Sequence, residues 1–185
     1  EKINEALATN VKIDDEIFNA LLSKEDKVVQ LLLLTQPINT ARLTLIDDCG
    51  LDIDLFATIG ANEDLDTDVI DSLTERDNEA LTCHLAANTT LSQEHLKIIY
   101  DKDIKASFEY LAVNPANAVE MLEMFYEKYD ESAIRIALAH NERTPEAILR
   151  ALFARDEFEI QKSMASNSSV PLELLDILKV DTRLQ

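Results

Sequence analysis

Glycine, cysteine, tryptophan and long apolar runs are scarce or missing in this 185-residue chain. Its two cysteines, Cys49 and Cys83, are too few and too far apart for a disulfide framework, which favours a reducing, cytoplasmic location. No stretch reaches about 18 consecutive apolar residues, so no membrane-spanning helix is expected. Of the two glycines, Gly50 and Gly60, Gly50 is expected to end a helix, because glycine adopts the left-handed conformation that usually closes helices. Two glycines are too few for all the helix ends, so other residues must take that role.

Basic residues are also scarce, with 17 Lys and Arg against 36 Asp and Glu and a net charge of −19. Binding to DNA or RNA requires Lys and Arg to displace phosphate counterions, so nucleic acid is not an expected partner. The acidic residues are densest between residues 47 and 79, where twelve carboxylates accompany the single Arg76. This stretch is either a solubilising surface or a docking surface for a basic protein, with Asp64, Asp66 and Asp68 as candidate contacts.

What the sequence does contain is a column of amide side chains at a nearly constant interval. The members recur every 26 or 27 residues: Asn10, Gln36, Asn62, Asn88, Asn114, Asn141 and Asn167. A fixed period of this length is typical of stacked-repeat proteins. It divides a single domain, 1–185, into seven units with the approximate boundaries 1–25, 26–51, 52–77, 78–103, 104–130, 131–156 and 157–185.

Each amide follows a helical pattern of apolar and small residues. Before Asn88, for example, Leu81 and Leu85 are four residues apart and share one helix face, and Ala86 is small enough for close backbone contact. A second apolar stripe begins seven residues after most of the amides and continues four residues later. Each unit is therefore predicted to be a helix–turn–helix of about ten plus ten residues, which makes the fold all-α.

The amides themselves have two interpretations. Asparagine is the residue after glycine that best tolerates the left-handed conformation just past a helix, so the column is interpreted as a series of left-handed C-caps. The alternative is that the amides read a ligand, as side chains do in helical repeats that bind RNA. The acidic net charge favours the structural interpretation.

Three segments resemble units of the leucine-rich repeat variant family, whose pattern is close to L-A-x-N-P-x-T-P-x-x-L-L-x-x-L-A-x-D. They are LAHNERTPEAILRALFARD at 138–156, LAVNPANAVEMLEMF at 111–125 and MASNSSVPLELLDIL at 164–178. The resemblance is weakest in unit two. It implies a right-handed α-α superhelix (solenoid) of about seven 26-residue repeats, related in architecture to HEAT and armadillo proteins, and it implies no reaction. The founding member carries an iron–sulfur cluster, but Cys49 and Cys83 cannot supply four thiolates, so no cofactor is expected.

Sequence patterns for metal binding and catalysis are incomplete. Asp64, Asp66, Asp68 and Glu75 occupy positions 1, 3, 5 and 12 of a calcium-binding loop, but Val69 stands where that loop requires glycine. The helical pattern also assigns Val69 to the second helix of unit three. The histidines fall in different columns of the repeat: His84, His95 and His140. With no phosphate-binding loop or nucleophile motif, we expect neither a metal site nor an enzyme.

One column is a candidate recognition surface. Twelve residues after the amide, three consecutive units carry an aromatic residue: Tyr100, Tyr126 and Phe153. Stacking of the units would align these side chains in a row, and Tyr and Phe are frequent interface anchors. The same column lies beside the core stripe, so a binding strip and a core flank are both open.

Together these patterns predict a non-catalytic repeat scaffold that binds a protein partner, basic in character, and neither nucleic acid nor membrane. The alternative is a redox or nucleic-acid-associated module that depends on a segment absent from this chain. The first residue is Glu1 rather than Met, which favours a piece of a longer protein. The partner, the biological process, the oligomeric state and the binding face are open at this point.

Overall fold

The computed structural model describes residues 2–180, and their regular structure is helical, which confirms the predicted all-α class. The α-helices are α1 Lys2–Ala8, α2 Asp15–Leu22, α3 Lys27–Leu34, α4 Thr40–Cys49, α5 Ile53–Ala57, α6 Thr67–Glu75, α7 Glu79–Ala87, α8 Gln93–Asp101, α9 Phe108–Val113, α10 Val119–Lys128, α11 Ser132–His140, α12 Glu146–Phe153, α13 Phe158–Met164 and α14 Leu172–Val180. Short 3₁₀ segments extend α5 (Thr58–Ala61) and precede α9 (Lys105–Ser107). Ile38 and Leu65 form an isolated parallel bridge. Across residues 2–180, none of the helices has the length and apolarity needed to cross a membrane.

Each of the seven sequence units contains two consecutive α-helices, from α1 and α2 in the first unit to α13 and α14 in the last. Two of the second helices begin directly after a side chain that caps them. Asp14 precedes α2 and accepts the Ile17 N–H at 2.9 Å, and Ser92 precedes α8 and accepts the His95 N–H at 3.2 Å. These side chains satisfy backbone donors that the first helical turn leaves free.

The helices contact their counterparts in neighbouring units in chain order. The first helices form one continuous series of contacts, α1 to α3, α3 to α5, α5 to α7, α7 to α9, α9 to α11 and α11 to α13. Among the second helices, α2, α4, α6 and α8 contact one another in the same way. Consequently a residue at a given position in one first helix lies near the same position in the next.

The predicted core positions are buried. The large residue three places before the amide has an exposure of 0% in six units: Leu33, Ile59, Leu85, Leu111, Leu138 and Met164. In unit one the prediction is wrong, because Leu7 is 37% exposed. Burying a side chain of this size stabilises the fold by about 1.5–3 kcal/mol, so this column is a major source of cohesion between the helices.

The residue two places before each amide, a position that we call the small column, was predicted to mark close backbone contact, and Gly60 confirms this in unit three. The pattern does not extend to unit two, where the residue is Leu34, or to unit seven, where Ala165 is exposed. Gly60 lies so close to α7 that an added Cβ would be 3.0 Å from the Leu81 carbonyl oxygen, the Leu85 nitrogen and the His84 Cβ. Ala8, Ala86, Ala112 and Ala139 occupy this column in other units and are fully buried.

Left-handed residues lie at the corners between units. Gly50 ends α4 with φ of 65°, which confirms its predicted role. Glu25, Asp103 and Asp156 adopt φ values of 54–55° at three other corners. Aspartate tolerates this conformation better than most residues because its short polar side chain can bond locally.

Candidate functional site

The amide column does not form left-handed caps, so that prediction is wrong. Asn114 follows α9 in an extended conformation, with φ of −64° and ψ of 119°. Asn62, Asn88 and Asn141 have φ values of −73°, −71° and −72°. The physical reason is that each amide is used for hydrogen bonds to the preceding unit, and the extended backbone directs the side chain there.

Asn114 illustrates the bonds. Its Nδ2 donates to the Ala86 carbonyl at 2.8 Å and to the Asn88 carbonyl at 2.9 Å, both in the preceding unit. Its Oδ1 accepts the Ala116 N–H at 2.8 Å. The same three bonds recur at Asn62, Asn88, Asn141 and Asn167, whose carbonyl acceptors lie 26 to 29 residues earlier. We call the series from Gln36 to Asn167 the amide ladder.

Gln36 is the irregular member of the amide ladder. Its Nε2 donates to the Ala8 carbonyl at 2.9 Å, but its buried Oε1 has no hydrogen-bond partner. The Ile38 N–H, which occupies the position of the donor in the other units, bonds instead to the Asp64 carbonyl at 3.0 Å. Unit two therefore has a weaker connection at the position where its sequence departs most from the pattern.

The amide ladder is closed to ligands. Asn62 is the most exposed of its five asparagines at only 7%, and their amide groups already bond within the protein. The alternative that these amides read a ligand is therefore wrong. The regular interval of the column predicted its importance, but the direction of the bonds depends on the backbone geometry.

The acidic surface lies fully on the outside. All twelve carboxylates between residues 47 and 79 are exposed. Asp47 pairs with Arg76 through two bonds of 2.7 and 2.8 Å, and Asp71 lies 2.8 Å from the His95 Nε2. The other ten have no ion-pair partner within 4.0 Å in the described chain.

The candidate contacts Asp64, Asp66 and Asp68 lie together where the chain enters α6. Asp66 immediately precedes the helix but forms no side-chain cap, and Asp68 is in its first turn. Because α6 spans Thr67–Glu75, Asp68 and Val69 are helical, as the repeat pattern predicted, and this segment does not form a calcium-binding loop. Among residues 2–180, no three His, Cys, Asp or Glu side chains lie close enough together to hold a metal ion.

The aromatic column does not form one row of stacked rings. Tyr100 is half-buried, with its ring stacked on Phe108 at 5.4 Å between centroids and edge-on to Phe125 at 5.7 Å. Phe153 is half-buried against the core, whereas Tyr126 is 38% exposed. No ring contact joins any two members of the column in the described chain, which favours the core-flank interpretation for Tyr100 and Phe153.

Sequence reasoning missed the aromatic cluster that Tyr100 joins. Phe108, Phe125 and Tyr129 complete it. The ring centroids of Phe108 and Tyr129 are 5.0 Å apart, and the Tyr129 hydroxyl lies 3.2 Å from that of Tyr100. Burial, and then the hydrogen bond with Tyr100, raise the pKa of Tyr129 to about 12. The Lys105 ammonium lies 4.6 Å from the Phe108 ring centroid. The repeat spacing gave no indication of this cluster, because its members occupy unrelated columns.

The cysteines and histidines do not assemble a reactive centre. Burial raises the pKa of the Cys83 thiol, and the nearby carboxylates of Glu79 and Glu109 raise it further, so this thiol is a poor nucleophile at neutral pH. His95 is held between Ser92 and Asp71, with ring-nitrogen distances of 2.9 and 2.8 Å. This geometry caps α8 and connects it to α6.

Comparisons of the chain with protein-family models, with curated proteins and with solved structures find no match.

Proposed function

We propose that this chain is a right-handed α-solenoid of about seven 26-residue repeats, similar to leucine-rich repeat variant proteins, and that it acts as a non-catalytic scaffold for a basic protein partner. The helix pair in each unit supports the architecture. The amide ladder supports it too, because its bonds connect every unit from the second to the seventh with the unit before it.

The observation that carries the proposed partner class is the exposed and largely unpaired acidic surface between residues 47 and 79. Its ten carboxylates without ion-pair partners create a negative potential that increases the rate of encounter with a Lys- or Arg-rich surface. The same potential repels nucleic acid, because phosphates need cations to replace their counterions. A protein with basic side chains is therefore the class of partner that this surface fits best.

The test is a kinetic salt series on a partner that is recovered by affinity capture and then purified. A surface that attracts its partner electrostatically should lose association rate, by about tenfold or more, as the ionic strength rises to several times the physiological value. Asp64, Asp66 and Asp68 form no side-chain hydrogen bond or ion pair in the described chain, so replacing all three with Asn should leave the fold intact. This triple variant should slow association more than it speeds dissociation.

A charge-matched control is available on α10. Glu120, Glu123 and Glu127 are also exposed and lie in a different unit, so replacing them with Gln changes the net charge by the same amount. The control should bind with nearly the parent association rate. An affinity that does not depend on salt, or an equal loss in both triple variants, would contradict the proposal.

A further inference from the structure

A groove runs across the first helices of units four to seven. It consists of three adjoining cavities of about 350, 460 and 410 Å³. Glu109, Tyr110 and Ala133 line both the first and the second cavity, and Val113 and His140 line both the second and the third. The three cavities are therefore parts of one continuous depression, which we call the first-helix groove.

The floor of the first-helix groove is apolar and partly open to solvent. Tyr110 is 39% exposed, although it is a large side chain on a helix that packs against four others, α7, α8, α10 and α11. Ala133 is exposed, and Val113 and Ile136 are half-buried. Small side chains on α11 leave room above the floor, so an apolar side chain from another molecule can enter.

The rim of the groove carries negative charge. Glu109, Glu131 and Glu142 are exposed carboxylates that line it. Neither Glu109 nor Glu131 has an ion-pair partner within the described chain. The one lysine in the lining, Lys105, is occupied by Asp103 at 2.5 Å and by the Phe108 ring.

We propose that the first-helix groove binds an extended segment of the basic partner, with apolar side chains on the floor and Lys or Arg side chains on the rim. This inference rests on the proposed function and specifies the binding face. Charge complementarity favours such an occupant over an acidic or purely apolar one. The groove crosses four first helices, and helices pack about 8–10 Å apart, so its length is about 24–30 Å. An extended chain that rises about 3.3 Å per residue covers this length with seven to nine residues.

The test begins with randomised nine-residue peptides displayed on phage and selected on the intact chain. Selected peptides should combine apolar residues with Lys or Arg. Their affinity is then measured by fluorescence polarisation for Ala133→Arg and for a matched variant, Ala147→Arg, on α12. Both alanines are exposed and helical, so the two variants add the same charge and bulk inside and outside the groove. The first should weaken binding by at least tenfold, and the second by less than twofold.

Two further measurements distinguish blockage of the groove from misfolding of the variant, and the effect of rim charge on binding from the effect of groove shape. Cys83 lines the groove, whereas Cys49 lines a separate cavity in units one to three. Bound peptide should therefore slow the alkylation of Cys83 and leave that of Cys49 unchanged. The double variant of Glu109→Gln and Glu131→Gln should weaken binding at low salt and have less effect at high salt.

The proposal is overturned if no peptide is selected, if the selected peptides are acidic, or if Ala133→Arg and Ala147→Arg bind equally well. It is also overturned if Cys83 is alkylated at the same rate with and without peptide. These outcomes are distinct from failure of the proposed function. If the Asp64, Asp66 and Asp68 variant still loses association with the purified partner, the scaffold proposal holds and only the groove is excluded as its contact.

Discussion

Replacing Asn114 by alanine should remove three hydrogen bonds between and within units four and five. The change leaves the carbonyls of Ala86 and Asn88 and the Ala116 N–H without partners, at a position where Asn114 is 1% exposed. Each buried polar group left unpaired costs about 1–3 kcal/mol. The Ala116 N–H is only partly buried and can reach water, so the two carbonyls dominate. We expect the free energy of unfolding to fall by about 2–6 kcal/mol.

Asn114→Gly distinguishes the amide ladder from a left-handed cap. At φ of −64° alanine is unstrained, so glycine relieves nothing and adds about 0.5–1 kcal/mol of unfolded-state entropy. The glycine variant should therefore be at least as destabilised as the alanine variant. A left-handed cap would give the opposite order, with glycine close to the parent protein.

The assay is urea unfolding followed by far-UV circular dichroism, with both the midpoint and the slope recorded because stacked repeats can unfold in parts. Asn19→Ala on an exposed position of α2 is the control and should change stability by less than about 0.5 kcal/mol. If Asn114→Gly retains the parent midpoint, or if Asn114→Ala behaves like the control, the hydrogen-bond reasoning is refuted.

Three other predictions follow from buried groups. Leu138→Ala should cost about 2–5 kcal/mol because Leu138 is fully buried, and urea unfolding should show almost no effect for Leu172→Ala, whose parent side chain is 77% exposed. Arg42→Met should cost about 2–4 kcal/mol, because the buried guanidinium donates to the Ile13 carbonyl at 2.7 Å and the Pro37 carbonyl at 2.9 Å; the exposed Arg150→Met variant should keep nearly the parent midpoint, and equal midpoints for the two would contradict this. The raised pKa of Tyr129, about 12 against an ordinary 10.0, means that the folded state holds its proton more tightly, so stability should fall as the pH rises from 10 to 12. Ultraviolet titration should show one late phenol that disappears in the Tyr129→Phe variant, and normal titration of all the phenols would exclude the raised pKa.

The sequence predicted the helices and the core because both depend on local periodicity. Leu138 is four residues from Ile134 on the same helix face, and both are buried. Gly50 was predicted to end α4 because glycine adopts the left-handed conformation without strain, and it does so. Such features depend on residues within one turn of a helix or just past its end, so the sequence alone contains the necessary information.

Contacts between units were harder to predict because they depend on how the backbones meet. The interval between Asn88 and Asn114 revealed a repeated role, but an asparagine after a helix is equally compatible with a cap and with a bond to another unit. Tyr100 was placed in a row of aromatics by its column, whereas its ring contacts Phe108 and Phe125 from other columns. The groove was missed for the same reason, since its lining combines residues from four helices.

The small column of one unit and the amide of the next unit together form the connection between the units. The first carbonyl that Asn88, Asn114, Asn141 and Asn167 bond belongs to the small residue of the preceding unit, as Asn88 bonds Gly60 and Asn114 bonds Ala86. Asn62 bonds the carbonyl of Leu34, which is not small. In the four units with a small residue the amide nitrogen lies 2.8–3.0 Å from that carbonyl oxygen. The carbonyl would otherwise be one of those left free at the end of the first helix. The repeated pairing of a small residue and an asparagine therefore closes one helix and positions the next at the same time.

The single 27-residue step between Asn114 and Asn141 shows which part of the unit is constrained. The Asn141 Nδ2 still bonds the Ala112 carbonyl at 2.9 Å and the Asn114 carbonyl at 3.1 Å, so the ladder geometry is unchanged. The extra residue is accommodated in the second half of unit five, where α10 has ten residues and ends at Lys128. The next residue, Tyr129, has φ of −127°, whereas Asp103 at the preceding corner is left-handed. The end of each first helix, where the ladder amide lies, is therefore constrained by hydrogen bonds. The corners between units tolerate changes in length and conformation. Exposed residues of the first-helix groove and the acidic surface can accordingly change without disturbing the bonds between units, which is compatible with the proposed scaffold function.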